Sequence, residues 1–185
     1  MLPKFTAFDA ASNEVAHDYG RVFEHERFEQ FERLKIGASS AAIGLLRQLS
    51  ECLPAPYFCL YVLVVSREGE EQGRYQSPPL ETTAELTDFL QEFAPLLTTD
   101  GRHHLWAGAT DKSGLLIYDR HNVIYAYGPL EAYKTALEAL SYREQAFGFP
   151  VPHAHHFHAE NDEQVRRLLA HWDWQWFPLA PSDEE

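Results

Sequence analysis

The sequence is poor in positive charge. Its 185 residues carry 15 Lys and Arg against 28 Asp and Glu, a formal net charge of −13. Duplex nucleic acid is bound through a basic footprint, so this balance argues against a nucleic-acid partner. No apolar run approaches the ~20 residues of a membrane helix, and no membrane partner is expected. Cysteine is scarce: Cys52 and Cys59 are the only two and do not form a C-x-x-C pair. That excludes a disulfide scaffold and suits a reducing compartment with both thiols buried. The first ten residues lack the apolar stretch and small-residue cleavage site of a secretory signal, so a cytoplasmic location is expected. Also missing are G-x-S-x-G, the phosphate-binding G-x-x-x-x-G-K-[ST], the dinucleotide G-x-G-x-x-G and H-E-x-x-H.

What remains is a chain with 45% hydrophobic residues, including 12 Phe, 9 Tyr and 4 Trp. A chain this long buries roughly 70% of its unfolded surface, enough for one core without staples. We expect residues 38–180 to form a single domain. Residues 1–37 read as a segment of undefined structure packed on it, and the polar, proline-led 181–185 as a frayed tail.

The spacing of Phe28, Phe31 and Leu34 follows a helical period, while Arg21 to Glu26 reads equally well as extended chain. Ser39 or Ser40 can cap a helix carrying Ile43, Leu46, Leu49 and Leu53. Residues 57–67 are almost continuously apolar and β-branched or aromatic, the pattern of a central strand. Thr82-x-x-Glu85 is a capping box ahead of Leu86, Phe89, Leu90, Phe93 and Leu97. His103 to Thr110, Leu115 to Tyr118 and Val123 to Tyr127 read as strands, and Leu130 to Leu140 as a helix. Pro150 and Pro152 confine 147–157 to an edge strand or loop. Asn161, with Gln164 behind it, can cap a helix over 162–171, and Trp172, Trp174 and Trp176 alternate as in a closing strand. Strands joined by short turns pair antiparallel. The expected fold is therefore α+β, a mostly antiparallel sheet of five to six strands with helices packed on it.

Histidine carries the chemical interest. Four of the ten lie in PHAHHFHAE, at His153, His155, His156 and His158. On an extended chain His153 and His155 share one side, and His156 and His158 the other. Such a pair can offer two imidazoles to a divalent metal such as zinc. Glu160, or the distant His103 or His104, could supply a third ligand. His153, His155 and Glu160 are spaced as in the first half of a cupin metal motif, but its glycines are missing. The H-x-H-x-D-H of metallo-β-lactamases fails at Phe157, and the H-x-E of zinc deaminases lacks its downstream P-C-x-x-C. Without a second matching element, the cluster also reads as a plain polar edge. In Asp119-Arg120-His121-Asn122, His121 could act as a base oriented by Asp119. A tight turn wants the same residues, and the turn is the reading adopted.

Two functions from different classes follow. The first is a non-enzymatic protein-binding module, in a bacterium an immunity-type inhibitor. Its basic protein partner would be drawn by Glu85, Asp88 and Glu92 and gripped by Trp172, Trp174 and Trp176. The alternative is a metal-dependent enzyme built on His153, His155, His156, His158 and Glu160.

Overall fold

The computed structural model describes residues 3–38 and 42–183. In chain order the elements are β1 (Phe5–Phe8), β2 (Glu14–Ala16), β3 (Val22–Arg27), β4 (Glu32–Gly37), α1 (Ala42–Ser50), β5 (Tyr57–Leu63) and β6 (Gly73–Gln76). Then come α2 (Thr83–Glu92), α3 (Ala94–Thr99), β7 (His103–Ala109), β8 (Leu115–Tyr118), β9 (Val123–Tyr127) and α4 (Leu130–Ala139). The chain finishes with β10 (Arg143–Glu144), β11 (His153–His155), α5 (Asp162–Leu169) and β12 (Gln175–Phe177). None of these helices is long and apolar enough to cross a membrane.

The α+β class holds, but the main sheet has nine strands rather than five to six. Their order is β10-β3-β4-β9-β8-β7-β5-β6-β12. Every neighbouring pair is antiparallel except the short β10–β3 contact. Part of the excess lies in residues 1–37. The stretch read as helical is a β3–β4 hairpin, and Phe28 and Phe31 stack at its tip with ring centroids 4.6 Å apart. Their three-residue spacing reflects a turn, not a helical stripe. Two-residue β10 is an edge strand too short to leave a period-two signature, whereas the closing strand expected from the alternating tryptophans is present as β12, confined to Gln175–Phe177. The capping position proposed for Ser39 or Ser40 lies outside the described residues.

Some other local expectations are met and some are not. The Thr82–Glu85 capping box opens α2 with both reciprocal hydrogen bonds. Strand β5 is paired on both sides, by β6 and β7. The cap expected of Asn161 does not form: the residue has helical rather than extended backbone angles (φ −91°, ψ −6°), and its amide N–H groups donate to Thr99 Oγ1 and the Asp100 carboxylate. Of the three alternating tryptophans only Trp176 lies in β12; the backbone there meets β6 where Gly73 has no side chain to strike the Trp176 indole.

Alternation along the central strands divides the sheet into two unlike faces. Leu34 and Ile36 of β4, Leu105 of β7, Leu116 of β8 and Ile124 of β9 point to the helix side. There they join one core with Leu46, Leu49, Leu86, Phe89, Leu97 and Leu137. The opposite face carries Arg33 and Lys35, Tyr125 and Tyr127, Ile117, and Trp106 and His104. Among the described residues no α-helix packs on this row. Leu60, Val62 and Val64 form a small second cluster there with Leu179.

Residues 181–183 are tied to that open face. Within the segment expected to fray, Pro181–Asp183 form a single 3-10 turn, and residues 184–185 lie outside the described residues. Asp183 is buried and accepts from Arg74 Nε and Nη2 at 2.7 Å each, a bidentate pair the sequence does not advertise.

A second sheet of three strands, in the order β11-β1-β2, packs against one end of the first. It pairs Phe5 with His155 and Ala7 with His153. Its link to the main sheet runs through a fully buried guanidinium. Arg102 donates to Asp100 through Nε and Nη2, to Asp162 through Nη1, and to the His158 carbonyl. The His158 amide returns a bond to Asp100. Burial alone would raise the Asp100 carboxyl, but hydrogen bonding to Arg102 and its neighbours hold it below the ordinary 3.8.

Removing one partner of such a group leaves a buried charge uncompensated, so Arg102→Met should cost about 3–5 kcal/mol in urea unfolding at pH 7. The Asp100 contribution is present above its unfolded pKa and lost as pH falls through its lower folded value. Asp100→Asn should therefore lose less stability than wild type between pH 5 and pH 3; equal losses would contradict this role.

Candidate metal centre

The β8–β9 turn builds the first half of the site. Asp119 Oδ1 accepts the backbone N–H groups of His121 and Val123 at 2.9 Å each, and Asn122 adopts a left-handed φ of 62°. That is a turn closed by its own aspartate. The other carboxylate oxygen, Oδ2, accepts from His121 Nδ1 at 3.0 Å. Turn and orienter, alternatives in the sequence, are one arrangement. Burial would raise the Asp119 carboxyl, but the His121 hydrogen bond and the backbone donors hold it below the ordinary value. With Nδ1–H committed to Asp119, the lone pair of His121 sits on Nε2.

Strand β11 builds the second half. Alternation puts His153 and His155 on one side of it, as expected. His153 Nδ1 donates to the Pro150 carbonyl at 2.9 Å, which again leaves Nε2 as the open position. His155 Nδ1 is buried and has no hydrogen-bond partner among the described residues. Burial first, then repulsion from His121 and Arg120, pushes the His155 imidazole down to about 3, so it is held neutral. One ligand atom from each of His121, His153 and His155 lies within 4.8 Å of the others. Fully buried Phe5 backs all three, with ring centroids 5.5, 5.3 and 5.5 Å from His121, His153 and His155.

The other predicted ligands are elsewhere. His156 points to the opposite side of β11, where Nε2 meets Thr6 and the Glu14 carboxylate. His158 stacks beside His156 with centroids 6.3 Å apart, and its backbone belongs to the Arg102 network. Glu160 is exposed in the 3-10 turn Ala159–Asn161. His103 faces the helix side against Tyr61, and His104 faces the open side, where its Nε2 donates to the Asp183 carbonyl at 3.2 Å. None of these five joins the triad. The correction is geometric: the third imidazole comes from the β8–β9 turn, 32 residues upstream of His153, and only the tertiary docking of β11 brings it in.

Buried Lys4, just before β1, secures that docking. Its Nζ donates to the Asp119 carbonyl at 2.8 Å and lies 3.5 Å from the Tyr118 ring centroid. Its own carbonyl accepts from the His156 amide. One residue thus joins the turn that bears His121 to the strand that bears the other two imidazoles.

His121 also lines an open cavity of about 450 Å³ on the helix-free face. Trp106, Ile117, Tyr125 and Tyr127 form its floor, Phe149 one wall, and Ser182 with Asp183 another. Phe149 packs on His121 with centroids 4.6 Å apart. The outward alternation of β4, β7, β8 and β9 was the sequence signal that could have found this floor.

The residues assigned to partner binding divide. Exposed Glu85, Asp88 and Glu92 line a second, shallow groove with Trp172 and Phe89. Trp174 is half-buried against the core beside Phe89 and Trp172, its indole N–H donating to the Leu168 carbonyl, and Trp176 sits on the edge strand β12; neither lines the groove. The groove's acids are partly neutralised, because Arg167 Nη2 donates to Glu92 at 2.8 Å. Of the thiols, Cys59 is buried and pushed well above its ordinary range by that burial; Cys52 is half-buried and also raised. Neither is a poised nucleophile.

No protein-family model, curated protein or solved structure matches this chain.

Burial pushes the Lys4 ammonium from 10.5 down to about 7, against partial compensation from Asp119 and Asp100. Between those values the unfolded chain binds a proton that the folded protein has released, so stability rises with pH there. Urea unfolding of wild type should show this gain between pH 7 and roughly pH 9, and Lys4→Met should show a smaller one. Identical slopes would mean that Lys4 is not buried as described.

Proposed function

We propose that the protein is a metal-dependent enzyme whose divalent ion, zinc being the best suited, is held by His121, His153 and His155. The observation that supports this most directly is the convergence of three imidazole nitrogens, one of them oriented by a buried carboxylate. Zinc sites of the catalytic kind use three protein ligands and leave a position open for water or substrate. An imidazole that donates its other N–H to a carboxylate is the usual outer-shell support, as Asp119 gives His121. Three neutral imidazoles leave the full charge of the ion in place, which suits acidification of a bound water and hydrolytic or hydration chemistry. The chain's own contribution is to fix the imidazoles before any ion arrives. His121 is held by Asp119, His153 by the Pro150 carbonyl, and Phe5 excludes water from behind them.

The choice of ligands is testable against the sequence-based set. His121→Ala, His153→Ala and His155→Ala should each weaken zinc binding by a hundredfold or more in competition with a chromophoric chelator. His156→Ala and His158→Ala should leave it within a few fold. Asp119→Asn should cost about 10–100-fold, the range for an outer-shell partner. A protein that takes up no zinc, or one whose uptake depends on His156 and His158 instead, would overturn the assignment.

A second reading rests on a separate observation. Glu85, Asp88, Glu92 and Trp172 do come together in one groove, which favours a docking role toward a basic protein segment. Complementary charge would speed such an encounter, and salt would weaken it. Under this reading Glu85→Lys/Asp88→Lys lowers capture of a basic partner at low ionic strength, while zinc binding is unchanged. Retention of a partner that is insensitive to both salt and this double substitution would exclude it.

A further inference from the structure

We propose that the cavity beside the three histidines binds an elongated aromatic carboxylate, with the acid group on Arg33 and the ring over Trp106 and Ile117. As a substrate class for the metal centre, this rests on the reading given above.

The shape of the ligand follows from the sheet register. His121 lies in the turn ahead of β9, and Leu34 pairs with Ala126, so Arg33 stands opposite Tyr127 at the far end of that strand. Val123 to Tyr127 spans about 13 Å at the usual strand rise. A ligand that reaches both ends is therefore long and narrow. Between the ends the lining is flat and largely apolar: the indole of Trp106, the rings of Tyr125 and Tyr127, and Ile117. A volume of about 450 Å³ is in the range of small-molecule sites.

The charge of the ligand follows from which lining groups are already committed. Asp119 spends its oxygens on His121 and two backbone N–H groups. Asp183 spends both of its own on Arg74 and takes the Ala180 amide as well. Neither offers a free carboxylate to a cation. Arg33 is different. Its Nε is held by Glu26 at 2.6 Å and its Nη1 donates to the Tyr127 hydroxyl at 2.9 Å. Those bonds lay the guanidinium 4.2 Å from the Tyr125 ring centroid. Nη2 makes no hydrogen bond among the described residues, and it is the donor left for an incoming acid. A guanidinium held in one plane on an aromatic ring is suited to carboxylate recognition, which an ammonium would not reproduce. At the other end, a divalent ion on neutral imidazoles would add positive charge. Both poles of the cavity thus favour an anion, and its floor favours a ring.

The test is calorimetric titration of 3-phenylpropanoate, 3-phenylpropan-1-ol and 3-phenylpropylamine into chelator-stripped and zinc-loaded protein. The carboxylate should bind the stripped protein at least tenfold more tightly than either the alcohol or the amine. Arg33→Gln should erase that preference, and Arg33→Lys should restore only part of it. Glu26→Gln, which removes the competing carboxylate, should tighten binding of the acid several fold, a gain that a misfolded variant cannot produce. Equal binding of the acid and the amine, or an Arg33→Gln protein that keeps the preference, would overturn the proposal. Preference for the acid in a protein that takes up no zinc would sustain it as a binding site and sink only the metal reading. Zinc uptake without the preference would do the reverse.

Discussion

The Asp119 carboxylate is the contact on which the candidate site turns. One oxygen closes the β8–β9 turn through two backbone N–H groups, and the other fixes the ring of His121. A buried carboxylate without these donors would be costly. With them it is satisfied and ionised, and the same bonds that stabilise the turn set the tautomer of the histidine. Structure and chemistry are not separable here, because any change that frees the carboxylate also frees the imidazole.

Two sheets must then meet for the site to exist. His121 belongs to the nine-stranded sheet, while His153 and His155 belong to the three-stranded one. Lys4 and Arg102 join them through backbone carbonyls rather than through the imidazoles. That arrangement leaves Nε2 of His121 and His153 uncommitted, each Nδ1 being held locally, while the segments that carry them are fixed. It also explains why His156 and His158 drop out. Period-two alternation sends the His156 ring to Glu14, and the backbone of His158 is consumed by the Arg102 network.

How much of this was legible in the chain differs by element. The Thr82–Glu85 box, the apolar β5 and the β8–β9 pair are local signals, and each appears where the residues place it. The nine-strand count was not legible, since Phe28, Phe31 and Leu34 imitate helical spacing around the β3–β4 hairpin tip, and β10 is too short to carry a period. In the site, H-x-H was readable as two imidazoles on one side, and Asp119 as an orienter of His121. What could not be read was that these two fragments touch. That depends on β11 pairing with β1 and on β1 docking against the turn, contacts between residues more than a hundred positions apart. The Asp183–Arg74 pair was hidden for the same reason: a polar tail looks frayed until its distant partner is known.

The most direct measurement is the anomalous-scattering map of crystals grown with zinc, collected on both sides of the zinc absorption edge. The account predicts one strong peak about 2.0–2.1 Å from a nitrogen of each of His121, His153 and His155, facing the cavity. A peak held by His156, His158 or surface carboxylates, or no peak among the three histidines, would contradict it.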